Sequence, residues 1–376
     1  MKVLFLGHYR EFGGWSQAAR NYILAMDSVG IDVVCRDISL TGRQADVPPK
    51  ILSLENKSTE GCDVCIQNLL PHHLIGTGHF KKNIAILFSE SSSIKPLSWF
   101  IHLRQMDEVW VPNTDSQRSL CLDNLMPEDR IRVVPCAENL SKYNQQHRPI
   151  FIKEIDDKFK FYYVGDLNDR KNIPTIIRAF HSEFDRSEPV SLIIKVQRFG
   201  TSPEQLDAAV RGICTQVKDR LRLYKSIESY HLEVIIPEEI DDSGIQSIHD
   251  YGDCLVSPSH GEAWSIPAFD AMCFGNTPIC SKVGGPKDFI GDSRDIGTLV
   301  EGQDTTCVYT EPAFADMFTG RESWFDPNDA EIKNAMRFYY ENKDKVDKTA
   351  GLKCAQPFSY EVVGQQIKEH LEAQCV

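Results

Sequence analysis

Residues 253–275 read DCLVSPSHGEAWSIPAFDAMCFG, and this stretch shows the unit from which most of the chain is built. Its first part, Asp253 to Ser259, is an apolar run that predicts a buried β-strand. The part from Pro267 to Phe274 predicts a helix, with a proline near its start and Gly275 at its end. A strand, a short loop and a helix in this order are typical of a βαβ unit in a parallel sheet.

The same alternation recurs along the 376 residues. Most of the apolar runs are continuous and rich in β-branched residues, which suits strands that are buried on both faces. The predicted strands cover residues 3–7, 32–38, 63–70, 83–89, 108–112, 131–136, 159–165, 191–197, 231–237, 253–259, 277–283 and 297–301. The predicted helices cover residues 16–28, 173–184, 203–223, 267–274, 326–345 and the tail after Pro357. We therefore expect parallel sheets with right-handed crossovers.

A polar, proline-containing stretch at residues 144–149 interrupts this series and predicts a domain boundary. We expect two Rossmann-like α/β domains, residues 1–148 and 149–356, with about six strands in each. The tail, residues 357–376, predicts an amphipathic helix that packs back on the first domain. The apolar face of this helix is expected to contain Val362, Val363, Ile367 and Leu371. The helix at 326–345 is expected to begin with Asp326-Pro327.

Composition and charge exclude several classes of protein. The chain has 41 Lys+Arg and 54 Asp+Glu, which gives a net charge of −13 and disfavours nucleic acid as a partner. No apolar run reaches membrane-spanning length and the first one is too short for an export signal, so we expect a cytoplasmic protein without a transmembrane segment. Of the 12 cysteines, Cys62 and Cys65 form a C-x-x-C pair, but no second pair follows, so we expect buried thiols and no metal site.

Ligands of open α/β sheets bind beyond the carboxyl ends of the strands, so the loops there are the first places to search. After the first strand, Gly13 and Gly14 precede a helix, where backbone N–H groups favour anions. The alternative for this loop is a tight turn with Ser16 as the N-cap. After the first strand of the second half, Arg170 and Lys171 stand before a helix, where cations oppose the helix dipole. This placement indicates an anionic ligand; the alternative is a solvated surface pair.

The loop of the opening stretch is the richest of these. Glu262 follows the strand, and Asp270 lies about one turn into the helix. Between them, the N–H groups of residues 263–266 stand at a helix N-terminus and are suited to a diphosphate. A carboxylate that accepts hydrogen bonds from a ribose diol would hold a nucleotide. The alternative is that Glu262 caps the helix and Asp270 is a surface residue.

In the first half, His72, His73 and Glu90 follow predicted strands and are candidates for binding hydroxyl groups, with plain loop residues as the alternative. Lys195 is an unusual charge within the strand IIKVQ and is expected to point into the ligand site. Trp15 is suited either to stacking on a sugar ring or to a hydrophobic staple.

Taken together, these motifs resemble the retaining glycosyltransferases of family 4, also called glycosyltransferase group 1, which have the GT-B fold. Their signature is a stretch similar to E-G-F-G-L-P-x-x-E-A-M-x-x-G, which residues 262–275 follow, with a conservative Ile266 in place of leucine and four further departures. The departures are Ala263, Trp264, Ser265 and Asp270, the last of which keeps the carboxylate but shortens it by one methylene. GDLNDRKN, residues 165–172, resembles the segment of the family whose lysine binds the donor diphosphate, except that Asp166 replaces an arginine. Gly284-Gly285 and Gly13-Gly14 resemble two glycine motifs of the family.

The resemblance implies two Rossmann-like domains that face each other across a cleft, and transfer of a sugar from a nucleotide-diphosphate sugar to an acceptor hydroxyl with retention. It implies that Glu262 is catalytic in the broad sense of contacting the donor sugar. The donor-binding residues it implies, together with those expected above, are Arg170, Lys171, Ala263, Trp264, Ser265, Ile266, Asp270 and Lys195. On the acceptor side we expect Gly13, Gly14, His72, His73 and Glu90.

No Asp-x-Asp triplet occurs in the chain, so we expect a metal-independent enzyme without a cofactor. Its partners are then a nucleotide-sugar donor and a glycan or other hydroxyl-bearing acceptor. Two alternatives stay open at this point: a non-catalytic sugar-nucleotide-binding protein and a sugar-nucleotide epimerase of the same fold. The departures at Asp166, Ala263, Ser265 and Asp270 favour the first of them.

Overall fold

The computed structural model describes residues 1–42, 44–95, 98–309 and 318–373. The chain divides into two compact units. The first unit contains Met1–Lys142, the residues from Ala355 onward and a short segment that ends at Ser323. The second unit contains the residues from Tyr143 up to that segment and Trp324–Cys354. The contacts thus divide the chain a few residues before the boundary predicted at residues 148 and 149.

The first unit is built on a six-stranded parallel sheet with the order β2-β1-β3-β4-β5-β6. Its strands are β1 (Lys2–Gly7), β2 (Asp32–Asp37), β3 (Val64–Asn68), β4 (Lys82–Ile86), β5 (Glu108–Val111) and β6 (Ile131–Val133). Its helices before the boundary are α1 (Gly14–Ser28), α2 (Pro49–Glu55), α3 (Trp99–Leu103) and α4 (Thr114–Leu122). Cys65 is buried on β3, as expected for a strand cysteine, and Cys62 is half-buried just before it.

The second unit contains another six-stranded parallel sheet, with the order β12-β11-β10-β7-β8-β9. Its strands are β7 (Phe159–Asp166), β8 (Val190–Gln197), β9 (Glu233–Ile236), β10 (Cys254–Ser257), β11 (Ile279–Ser281) and β12 (Thr298–Val300). Its helices are α5 (Ile173–Glu183), α6 (Pro203–Leu221), α7 (Asp242–Tyr251), α8 (Ile266–Cys273), α9 (Gly285–Phe289), α10 (Asp329–Glu341) and α11 (Ala350–Cys354). Each strand of the two six-stranded sheets overlaps a predicted strand.

The core of the second unit explains why these segments are strands. The first six residues of β7 are all buried, and so are the first seven of β8, because helices cover both faces of a parallel sheet. Aromatic side chains fill the space between β7 and α5. The rings concerned belong to Phe159, Phe161, Phe180 and Phe184.

A small sheet of β13 (Gly302–Thr306) and β14 (Ser323–Pro327) was not predicted. The prediction that a helix begins at Asp326-Pro327 is wrong, because both residues end β14. Helix α10 begins at Asp329 instead. Its N-cap is Asn328, whose side chain accepts hydrogen bonds from the N–H groups of Ala330 and Glu331 and satisfies two donors that the first turn leaves open.

The last helix, α12 (Tyr360–Ala373), packs on α1 within the first unit, as predicted. Gly364 makes this approach possible, because a Cβ at this position would lie 2.2 Å from the carbonyl oxygen of Ala25. Tyr360 also donates a hydrogen bond to Asn21 on α1. The buried face was predicted correctly for Val363, Ile367 and Leu371 but wrongly for Val362, which is 49% exposed.

Candidate functional site

The strand order of the second unit places a topological switch between β7 and β10. From β7 the chain proceeds to β8 and β9 on one side, and from β10 it proceeds to β11 and β12 on the other. The two loops that follow β7 and β10 therefore stand side by side at a topological switch, and open α/β sheets bind ligands at such a switch, beyond the carboxyl ends of the strands. Both loops contain residues that the sequence had singled out.

The loop after β7 presents two cations. Asn168 accepts a hydrogen bond from the N–H of Lys171 and so closes a short 3₁₀ turn, Asp169–Lys171. Asn172 follows in the left-handed region, with a φ of 54°, and is the N-cap of α5. This sharp change of direction places Arg170 and Lys171 before the helix rather than on it, with Arg170 buried and Lys171 half-buried.

Glu262 in the loop after β10 meets both cations. Its Oε1 lies 2.6 Å from Nζ of Lys171, and its Oε2 lies 3.5 Å from Nη1 of Arg170. The same guanidinium nitrogen donates to the carbonyl oxygen of Gly261 at 2.7 Å. The glutamate is 7% exposed, so this is a buried ion cluster. A buried cluster of this composition, with two cations around one carboxylate, is suited to an anionic ligand.

The cluster keeps the carboxylate ionised. Burial by itself raises the pKa of Glu262, but the charges of Lys171 and Arg170 and hydrogen bonds from Lys171 and Ser259 more than offset this, so the pKa lies below its ordinary value. A buried carboxylate in this state carries a full negative charge at neutral pH. It is suited to holding a hydroxyl group or stabilising a developing positive charge, not to donating a proton.

Two glycines explain how the loop containing Glu262 reaches the edge of the sheet. A Cβ at Gly284 would lie 1.7 Å from the carbonyl oxygen of Glu262, and a Cβ at Gly285 would lie 2.5 Å from that of Trp264. Gly284 also has a positive φ of 65°, which a side chain would strain. The Gly284-Gly285 pair therefore supports the site by letting two backbone segments touch.

The start of α8 follows directly. Ser265 adopts the left-handed conformation, with φ 69° and ψ 68°, and its carbonyl oxygen accepts from the N–H groups of Ala268 and Phe269. Ala263, Trp264 and Ser265 are buried, and Ile266 is half-buried as the first residue of the helix. These residues lie at the N-terminus of α8, as the sequence predicted for a diphosphate-binding segment.

Asp270 lies one turn into α8, but it is buried rather than on the surface. Its Oδ1 accepts a hydrogen bond of 2.5 Å from the hydroxyl group of Tyr143. Tyr143 gave no sequence signal, because it lies 127 positions away and belongs to no recognisable motif. The surface alternative for Asp270 is thus excluded, and its role toward a ligand stays a prediction.

Lys195 is buried in β8, with 1% of its surface exposed. Its ammonium group donates to the carbonyl oxygen of Val196 at 3.0 Å. Burial lowers its pKa, while Asp166, Glu238 and Glu239 at the neighbouring strand ends oppose this shift. This hydrogen bond lies within β8 itself, and the role of Lys195 in donor binding stays a prediction.

In the first unit, the loop after β1 is not the tight turn capped by Ser16 that the sequence analysis kept as an alternative. Helix α1 begins at Gly14, and its N-cap is Gly13, with φ 96°, so the alternative in which Ser16 is the N-cap is wrong. The hydroxyl group of Ser16 instead donates to the carbonyl oxygen of His8 at 2.5 Å. Both glycines are exposed, in agreement with a loop that a ligand can approach.

His8, which the sequence did not single out, directly follows β1 and bonds to residues after β2 and β3. Its Nδ1 bonds to the carbonyl oxygen of Ile38, and its Nε2 accepts from the N–H of Leu70. Burial lowers the pKa of His8, so the ring is neutral at pH 7. The ring of His73 is exposed, and its centroid lies 6.2 Å from that of the His8 ring and 4.1 Å from that of the His72 ring.

The indole of Trp15 is fixed in the same region. Its Nε1 donates to Oδ1 of Asn68 at 2.7 Å, and the ring makes edge contacts with His8 and Phe88. Trp15 is half-buried, as is Glu90 two residues after Phe88. The structure therefore groups His73, His8, Trp15 and Phe88 in one unit, whereas it groups Arg170, Lys171 and Glu262 in the other.

The region that contains this ion cluster is also the part of the chain that a family model recognises. Residues 146–306 match the model of the Glycosyl transferases group 1 family. The match covers the loops that follow β7 and β10 and the Gly284-Gly285 pair. No curated protein sequence matches the chain significantly.

Solved structures match the whole chain at low sequence identity. A sucrose-phosphate synthase from Thermosynechococcus elongatus has a TM-score of 0.69 and 15% identity, with 99% of this chain and 98% of the other covered. Anabaena HepE in complex with UDP-glucose has a TM-score of 0.66 and 14% identity, with 99% and 100% covered. The lipopolysaccharide outer core galactosyltransferase WaaB has a TM-score of 0.60 and 14% identity over both full chains. The predicted fold class is thereby confirmed: two parallel-sheet α/β domains, as in GT-B glycosyltransferases.

Two further observations limit the kinds of site that the described residues form. Within the described ranges, no helix has both the length and the apolar character needed to cross a membrane. Among the same residues, no group of three or more His, Cys, Asp or Glu side chains is arranged to hold a metal ion.

Proposed function

We propose that this protein is a glycosyltransferase that moves a sugar from a nucleotide-diphosphate sugar to an acceptor hydroxyl with retention of anomeric configuration. One observation carries the proposal: a buried, ionised Glu262 is held between Lys171 and Arg170 at the topological switch of the second sheet. This cluster lies within the segment that matches the Glycosyl transferases group 1 family.

Lys171 and Arg170 bind the donor diphosphate, together with the backbone N–H groups of residues 263–266 at the start of α8. Leaving-group charge must be neutralised as the glycosidic bond breaks, and preorganised cations and a helix N-terminus provide this at a buried site. We infer that no metal ion is needed, so activity should survive treatment with EDTA. We also propose two further residues for the donor side: Trp264, as the family resemblance implies, and Lys195, because it is an unusual charge within β8.

The transfer is balanced without a cofactor. The bond between the anomeric carbon and the diphosphate oxygen breaks, and its electron pair leaves with the diphosphate. The acceptor oxygen forms a bond to the same face of that carbon, and its proton passes to the departing phosphate oxygen. Glu262 contacts the donor sugar and stabilises positive charge that develops at the ring. Gly13, Gly14, His72, His73 and Glu90 of the first unit are proposed to bind the acceptor.

A UDP-sugar is the first donor to test, because HepE, a structural neighbour, was solved with UDP-glucose. Asp270 is proposed to bind the ribose diol, with Tyr143 orienting its carboxylate through their hydrogen bond. We also propose that the acceptor is a glycan or another molecule with a free hydroxyl group, and that the enzyme acts in the cytoplasm.

Calorimetry against UDP-, GDP- and ADP-sugars, followed by product analysis, tests the donor class. We expect one nucleotide series to bind and its sugar to appear on an acceptor with the anomeric configuration of the donor, as read by NMR. Binding without hydrolysis or transfer would favour a non-catalytic sugar-nucleotide-binding protein instead. Conversion of the donor sugar with no acceptor present would favour an epimerase.

Replacing Glu262 tests the site itself. Glu262→Gln keeps the shape of the side chain but removes its charge, so transfer should fall by at least about 100-fold while the protein remains folded. Glu188→Gln is the matched control, because it also removes the charge of a glutamate that pairs with an arginine, Arg337. Glu188 lies just before β8, at the amino edge of the sheet, whereas Glu262 lies at the carboxyl edge. Full activity of Glu262→Gln would reject the assignment of the site.

A further inference from the structure

His260 is the residue at which three segments of the second unit meet. Its backbone N–H donates to the carbonyl oxygen of Arg170 at 2.8 Å. Its own carbonyl oxygen accepts from the N–H of Phe325 on β14, also at 2.8 Å. The loop that contains Glu262 is therefore joined to the turn after β7 on one side and to the small β13–β14 sheet on the other.

The side chain of His260 repeats the connection to β14. Its Nδ1 lies 2.8 Å from the carbonyl oxygen of Phe325, and because a carbonyl only accepts, Nδ1 carries the hydrogen. The imidazole also lies parallel to the indole of Trp324, with an interplanar angle of 7° and ring centroids 5.4 Å apart. The imidazole is thus held by one hydrogen bond and one stacked face.

Strand β14 is a firm support for this ring. Trp324 is 4% exposed and makes an edge contact with Tyr309. A Cβ at Gly302 on β13 would lie 2.3 Å from the carbonyl oxygen of Asp326, so the two strands pack backbone to backbone. A shift of Trp324 would require the small sheet to move.

These contacts reach the ion cluster by a short route. Glu262 is two residues after His260, and Arg170, whose carbonyl oxygen binds the His260 N–H, donates its guanidinium to Gly261 and faces Glu262. A displacement of His260 therefore moves the carboxylate and one of its cations together. No local sequence pattern predicted this connection, because Trp324 is distant from His260 in the chain and lies outside the segment of the family match.

We propose that His260 and Trp324 form a positioning pair that sets the place of the Glu262 carboxylate for sugar transfer, an inference that rests on the proposed function. The pair acts through the backbone of residues 260–262 and does not touch the substrate. A misplacement of a reacting group by about 1 Å costs up to 100-fold in rate. Loss of the pair should therefore lower kcat much more than it changes the affinity for the nucleotide.

The test measures kcat, donor KM and the melting temperature of His260→Ala and Trp324→Ala, with the donor identified by the panel above. We expect kcat to fall about tenfold or more in both variants, and donor KM and the Kd for the free nucleoside diphosphate to change less than threefold. Trp324→Phe, which keeps a stacking face, and His260→Asn, which keeps a donor near Phe325, should each recover part of the lost kcat.

His231→Ala is the matched control. Like the half-buried His260, the buried His231 has a ring bond to a backbone carbonyl, that of Asp185, and an aromatic neighbour, Phe180. It precedes β9, however, at the amino edge of the sheet. It should lower the melting temperature without lowering kcat per folded molecule. If the His260 and Trp324 variants behave like this control, the positioning role is rejected while the proposed function stands. If the unsubstituted protein transfers no sugar, the proposed function itself fails.

Discussion

The two sheets carry the same kind of topological switch with opposite chemistry. In the second unit the switch lies between β7 and β10, and the loops are bridged by ions, Lys171 and Glu262. In the first unit the equivalent switch lies between β1 and β3. There the loops are bridged by neutral groups, through the hydrogen bonds from Leu70 to His8 and from Trp15 to Asn68.

This difference shows what each edge is suited to bind. A cluster of two cations around one carboxylate is suited to an anion such as a diphosphate, and its burial strengthens the attraction between charges. Neutral rings with fixed hydrogen-bonding groups are suited to an uncharged, hydroxyl-rich ligand, because ring faces pack on sugar C–H groups. The fold therefore offers a place for binding, and the residues at each switch decide its chemistry.

Of the substitutions that test this comparison, the one that breaks the ionic bridge between Lys171 and Glu262 should have the largest effect on activity. Lys171→Met removes the cation that pairs with Glu262 and is proposed to bind the diphosphate, so kcat/KM for the donor should fall by about 100- to 1,000-fold. Lys160→Met is the matched control, because Lys160 is buried near the start of β7, at the opposite edge of the same sheet. Steady-state kinetics decides the point, and an equal loss in both variants would contradict the assigned role.

A second ionic cluster in the same unit sharpens the comparison, because it lies at the amino edge of the sheet. Glu233 on β9 contacts His181 and lies 2.8 Å from Nζ of Lys218. Burial raises the pKa of Glu233, but these two partners bring it down to about 2. The stabilisation is therefore present above about pH 4.5 and is lost as the pH falls toward 2.

Glu233→Gln should lower the free energy of unfolding at pH 7 by about 3 kcal/mol, because it leaves Lys218 buried without its counterion. The variant should also lose much of the dependence of stability on pH between about 5 and 2. Urea unfolding across this pH range measures both effects. Transfer by the folded fraction should be unchanged; a loss of kcat as large as that of Lys171→Met would show that the two ionic clusters are not separate in function.

A substitution at the neutral switch of the first unit, between β1 and β3, should have a smaller effect than either Lys171→Met or Glu233→Gln. Trp15→Ala removes a ring proposed to pack on the acceptor and should raise acceptor KM about tenfold, which corresponds to roughly 1.4 kcal/mol. The affinity for the nucleotide should stay within twofold. Trp15→Phe keeps a ring face but loses the hydrogen bond to Asn68, so its acceptor KM should lie between that of the unsubstituted protein and that of Trp15→Ala. Kinetics with the acceptor found by product analysis provides the measurement, and weaker nucleotide binding would contradict the division of roles.

The sheets were readable from the sequence because buried parallel strands are continuous apolar runs. The exceptions follow from the same physics. Strand β13 reads GQDTT and has no apolar run to reveal it. Asp326-Pro327 resembles a helix start in sequence, yet a proline is equally well tolerated at the end of a strand in a two-stranded sheet, where one edge needs no partner.

Several residues of the candidate site were predicted from the sequence, but the hydrogen bonds between them were not. Glu262, Lys171 and Asp270 were found because loops after strands and helix starts have local signatures. The bond from Lys171 to Glu262 spans 91 positions, and that from Tyr143 to Asp270 spans 127. No local pattern encodes such pairs, since they form only when distant segments of the chain meet in the folded unit, as β7 and β10 do for Lys171 and Glu262. The stack of His260 on Trp324 was missed for the same reason.

The packing of α12 on α1 has a consequence for how the protein is made. Residues 360–373 leave the ribosome only after the whole second unit has been synthesised, yet they cover the face of α1 around Ala25. Until then, the nascent first unit exposes an apolar helix face that Val363, Ile367 and Leu371 will later bury. The second unit ends at Cys354, before α12 is synthesised. The first unit, although it is synthesised first, can therefore complete its fold only after the second unit.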